Sequence, residues 1–122
     1  MTRWNQLLED PRLRQISRLP FDKAEAEAKN FIAEVGCSLP AKVLALLTSS
    51  HGAEPSKVSE DTVDHLDRLY FELEDAGEEA ESRLAFSAAR LASAYTYLRD
   101  ARTTDDLMHA VYEAHHAAMS SK

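Results

Sequence analysis

His109, Glu113 and His116 recur at i, i+4 and i+7, so a helix over this segment sets all three on one face. Two imidazoles and a carboxylate at that spacing are a ligand set for zinc or a similar metal. The segment Glu113-Ala114-His115-His116 also holds a Glu-x-x-His pair, the unit from which carboxylate-bridged di-iron bundles are built. Such bundles need a second pair and further glutamates turned to the core. Here there is one pair, and the apolar stripe of the same helix (Leu107, Val111, Ala114, Ala118) points elsewhere. A solvated face is the expectation, with no metal and no cofactor; a metal-binding bundle or hydrolase using this face is the alternative. Asp61 and His65, one turn apart, form half of a general-base arrangement, and the sequence names no nucleophile beside them. A glycine-rich phosphate loop, His-Glu-x-x-His, paired cysteines and a nucleophile elbow are all absent, so no enzymatic activity is expected.

The strongest chemical signal is electrostatic. Between Glu60 and Glu81 stand ten carboxylates and one cation, Arg68, a local net charge of −9 in a chain that totals −7. The remaining residues together therefore carry +2. A concentrated anionic face attracts basic proteins and repels nucleic acid, so direct nucleic-acid binding is not expected. At 100° per residue, Val63, Leu66, Leu69, Tyr70 and Leu73 form the buried side of the acidic helix. Phe71 falls roughly 150° from the centre of that side, among Asp64, Asp67, Glu74 and Asp75. A ring there is either covered by another part of the chain or is the apolar anchor of a charged binding surface. Glu78, Glu79 and Glu81 open the following helix, where its dipole favours anions. Glu72, Glu74 and Asp75 end the preceding one, where the dipole opposes them. Folding alone does not call for acids at that end.

The expectation is a protein-binding module that engages a basic surface on a partner protein, in the manner of an inhibitor, an immunity protein, an antitoxin, an anti-defence factor or an adaptor subunit. Its contact residues are Asp64, Asp67, Phe71, Glu72, Glu74 and Asp75. A homodimer through the alanine-rich helix or the Met119 end is a further expectation.

The elements that must position these residues are helices. A chain of 122 residues with 44% hydrophobic and 29% charged side chains has the size and balance of one globular domain with a modest core. No segment approaches the ~20 apolar residues of a membrane span, and the N-terminus lacks a signal-peptide core. With Cys37 as its one cysteine, the chain is expected in the reducing cytoplasm. Apolar spacing is helical throughout. Trp4, Leu7 and Leu8 suggest a first turn interrupted at Pro11, and Leu13, Ile16 and Leu19 continue until Pro20. A helix capped by Asp22 ends at Gly36, read as a left-handed C-terminal residue, and Pro40 opens the next. The loop from His51 to Ser56 is where any division of the chain would fall. Beyond it, Ser59 caps the acidic helix, Gly77 ends it, a central helix runs from about Glu78 to Arg102, and Thr103 or Thr104 caps the last. The spacing predicts an all-α, compact bundle of about five to six helices with an antiparallel C-terminal three-helix core.

Overall fold

The computed structural model describes residues 9–51 and 58–121. Within them lie six helices and no strand: α1 (Pro11–Arg18), α2 (Phe21–Ser38), α3 (Ala41–His51), α4 (Glu60–Asp75), α5 (Glu79–Asp100) and α6 (Thr104–Ser120). The chain is an all-α bundle of packed helices, with α5 flanked by α4 and α6. No single helix among the described residues is long and apolar enough to cross a membrane. Trp4, Leu7, Leu8 and the loop residues at 52–57 lie outside the described residues, as does the expected point of division.

Local sequence explains most of the boundaries. Pro11 opens α1, and the turn expected before it lies outside the described residues. Proline is favoured at the first helical position, and the Asp10 side chain accepts the Arg12 backbone N–H at 2.9 Å. Arg12 then pairs with Glu34 and sits 5.6 Å over the Phe31 ring, tying α1 to α2.

Gly36 does not end α2. Among the described residues only Gly77 has a positive φ, and α2 continues to Ser38. The Leu39 N–H bonds the Val35 carbonyl at 3.1 Å, and Pro40 is what stops the helix. Gly36 is buried, and a Cβ built on it would lie 3.3 Å from the Tyr95 hydroxyl. The glycine is there for close approach of α5, not for a turn. α3 likewise continues through His51, which the sequence suggests is the first residue of a loop.

Two tight connections fold α4, α5 and α6 back on one another. At Gly77 (φ +78°) the Glu78 N–H bonds the Leu73 carbonyl at 2.9 Å and the Gly77 N–H bonds the Glu74 carbonyl at 3.0 Å. This is the Schellman pattern, which needs a residue comfortable at positive φ. At the start of α6, Thr103 Oγ1 accepts the Asp106 N–H at 3.2 Å while the Asp106 carboxylate accepts the Thr103 N–H at 3.1 Å and the Arg102 N–H at 2.8 Å.

Burial divides into two clusters. Leu13, Ile16, Ala24, Ala28, Leu107, Met108 and Val111 join α1 and the start of α2 to α6. The larger cluster joins the end of α2 with α3, α4, α5 and α6, and much of it is alanine. Small side chains let α5 and α6 approach until Ser87 Oγ donates to the Ala117 carbonyl at 2.8 Å. By contrast α4 buries only Thr62 and Leu66 fully, and Val63, Leu69, Tyr70 and Leu73 remain half-buried.

Candidate functional site

Ser82, Phe86, Arg90, Ser93 and Tyr97 follow one another at helical spacing and form a single stripe of α5. That stripe is the floor of a valley. Glu60, Asp64, Asp67, Tyr70 and Glu74 of α4 stand along one wall, and Asp106, Glu113 and Ser120 of α6 along the other.

Arg90 bridges the valley at its middle. Its Nη2 donates to Asp67 Oδ1 at 3.0 Å and Oδ2 at 3.3 Å, and its Nη1 to Glu113 Oε2 at 3.1 Å. The guanidinium also lies 5.5 Å over the Phe86 ring. Its Nε is buried without a partner among the described residues. The bridge leaves a cleft on each side. One, of about 460 Å³, is lined by Glu60, Val63, Asp64, Ser93, Thr96, Tyr97, Asp100 and Asp106. The other, of about 490 Å³, is lined by Tyr70, Glu74, Glu79, Ser82, Arg83, Phe86 and Ser120.

The anticipated contact residues are thereby split among three settings. Phe71, Glu72, Glu74 and Asp75 stay together at the end of α4. The Phe71 ring is 63% exposed, so no described segment covers it, and it leans on Tyr70 with ring centres 5.2 Å apart. Tyr70 in turn contacts Phe86 at 5.3 Å and donates its hydroxyl to Glu74 Oε1 at 2.9 Å, a bond that raises the pKa of the phenol. Asp67 is drawn out of the patch by Arg90. Asp64 lines the other cleft, about two helical turns from Phe71. Among the described residues, Asp64, Glu72, Glu74 and Asp75 form no ion pair.

His109, Glu113 and His116 do not converge. Glu113 is 8% exposed and committed to Arg90, so the face expected to be solvated is in part a helix–helix contact. That face turns inward because the arginine opposite gives a buried carboxylate its charge partner. His109 stacks on Tyr97 with ring centres 5.3 Å and planes 15° apart, and its Nε2 is 3.7 Å from Asp105 Oδ2. His116 packs against Tyr112 at 4.4 Å. Among the described residues no three His, Cys, Asp or Glu side chains are placed to hold a metal ion. Asp61 and His65 are both exposed.

Sequence reasoning missed Arg90, Ser93 and Tyr97. The signal was the recurrence of larger or polar residues along one stripe of a helix otherwise rich in alanine and leucine. No protein-family model, curated protein or solved structure gives a match to this chain.

Proposed function

We propose that this chain is a protein-binding module whose contact surface is the C-terminal end of α4, with Phe71 as the apolar anchor and Glu72, Glu74 and Asp75 as the charged rim. The partner presents a basic surface with an apolar pocket. The observation that carries this reading is the 63% exposure of Phe71 amid carboxylates that have no cation paired to them among the described residues. An exposed phenylalanine is a cost in water that a partner would relieve. Unpaired acids at a helix C-terminus oppose the dipole, so they cost stability unless a second molecule neutralises them. The Schellman turn at Gly77 closes the helix end that carries the patch, so its backbone is already ordered before binding. In such a module the carboxylates accelerate encounter and Phe71 holds the complex once formed.

Affinity capture from the native cell, followed by binding measurements with the purified partner, tests the proposal. Phe71→Ala is expected to weaken binding by about 2 kcal/mol or more, chiefly through faster dissociation. Glu72→Lys with Asp75→Lys is expected to slow association and to flatten its salt dependence. A partner bound equally well by all of these variants would sink the proposal.

A further inference from the structure

Tyr70 connects the exposed Phe71 to the interior of the valley. Its ring lies 5.2 Å from Phe71 and 5.3 Å from Phe86, so a row of rings runs from the edge of α4 to the floor on α5. Arg90 closes the inner end of that row, 5.5 Å over Phe86 and paired with Asp67 and Glu113. Arg12 repeats the arrangement elsewhere, over Phe31 and paired with Glu34. A guanidinium resting on a ring and held by carboxylates is thus a unit this fold already uses.

The cleft of about 490 Å³ has the same parts but no paired cation among the described residues. Tyr70 and Phe86 line it with aromatic surface, and Glu74 of α4 and Glu79 of α5 line it with carboxylates. Two of its hydroxyls are already spent. Tyr70 donates to Glu74 at 2.9 Å and Ser82 to the Glu79 carbonyl at 2.8 Å. They leave lone pairs and ring faces to a ligand. Arg83 also lines the cleft, but it is exposed and forms no ion pair among the described residues. Two carboxylates against that one arginine still leave the lining net negative.

We propose that this cleft receives an arginine side chain of the basic partner, its guanidinium shared by Glu74 and Glu79 and its stem passing over Tyr70 from the side of Phe71. Arginine fits better than lysine. A planar guanidinium stacks on rings and its fork of donors serves two carboxylates at once, whereas an ammonium is a compact, strongly hydrated charge. Arg83 repels the incoming cation and so limits its affinity. The inference rests on the protein-binding reading of the end of α4 and names what the partner inserts beside Phe71.

Titration of the full chain with the acetylated, amidated tripeptide Gly-Arg-Gly, followed by amide resonances, tests the cleft without the partner. Saturable binding with a Kd on the order of 1 mM is expected, with shifts at Tyr70, Glu74, Ser82 and Phe86. The lysine tripeptide should bind roughly threefold more weakly. The citrulline tripeptide, which keeps the shape and loses the charge, should show no saturable binding. Glu74→Gln with Glu79→Gln should weaken binding of the arginine tripeptide roughly tenfold, and Arg83→Gln should tighten it roughly twofold. Glu60→Gln with Asp64→Asn makes the same change of charge in the other cleft and should leave it unchanged. Absence of saturable binding, equal binding of the lysine or citrulline tripeptide, shifts that spare the cleft, or weaker binding in Arg83→Gln would each overturn the proposal. Such a failure leaves the Phe71 anchor standing, since that is judged by partner binding in Phe71→Ala. Loss of the anchor with the tripeptide results intact would instead strike the protein-binding reading alone.

Discussion

Two glycines show how differently one residue type can be required. At Gly77 the backbone is left-handed and nothing lies within 4 Å of an added Cβ, so Gly77→Ala is a pure conformational cost. It should destabilise the fold by about 1 kcal/mol in urea unfolding. Gly36 has helical geometry and a crowded neighbour, the Tyr95 hydroxyl. Gly36→Ala gains helix propensity and loses space, so alone it should change stability by less than about 0.5 kcal/mol. In a Tyr95→Phe background the obstruction is gone, and the same change should stabilise by about 0.5–1 kcal/mol. Asp106 supplies a pH test. The backbone N–H groups of Arg102 and Thr103 hold its carboxyl below the ordinary aspartate range. A depressed folded pKa contributes stability that is fully present above the unfolded value and is lost as pH falls through the folded one. The stability gap between wild type and Asp106→Asn should therefore close as the solution is acidified, which denaturation at a series of pH values reads directly.

At the scale of elements, the Arg90 bridge ties α4 to α6 across α5. Its members are not equivalent. Removing Arg90 leaves Glu113 buried without a partner, whereas removing Glu113 leaves Arg90 still bonded to Asp67. Arg90→Ala should cost about 2–4 kcal/mol in denaturant unfolding and Glu113→Ala distinctly less. Because a buried ion pair gains little over well-packed apolar groups, Arg90→Met with Glu113→Leu should recover most of the loss. The three-helix hairpin core itself was readable from caps, Gly77 and apolar spacing. The bridge was not, because an arginine looks the same in sequence whether it faces water or two carboxylates on other helices.

For the molecule as a whole, α6 is the shared element. Leu107, Met108 and Val111 belong to the cluster with α1 and α2, while Ala110, Ala114 and Ala117 belong to the larger one. Leu107→Ala should cost about 3 kcal/mol. If α6 couples the two clusters, fluorescence and circular dichroism should still report one coincident transition in that variant, and separate midpoints would show that the clusters unfold independently. The net charge of −7 acts at this scale too, keeping copies apart at low salt, so any self-association should rise with ionic strength in light scattering.

Local rules were enough for the helices: proline at helix starts, threonine and aspartate at caps, glycine at the Schellman turn and apolar residues at helical spacing each act over a few neighbouring residues. The acidity of the stretch from Glu60 to Glu81 was equally plain, since charge is counted without coordinates. Only the tertiary structure divided that stretch into an exposed patch around Phe71, an aspartate spent on Arg90 and a cleft floored by Ser93. It also turned Glu113 inward and put Gly36 under Tyr95. These outcomes depend on which residues of distant helices come face to face, and helical periodicity fixes the direction of a side chain without fixing what stands opposite it.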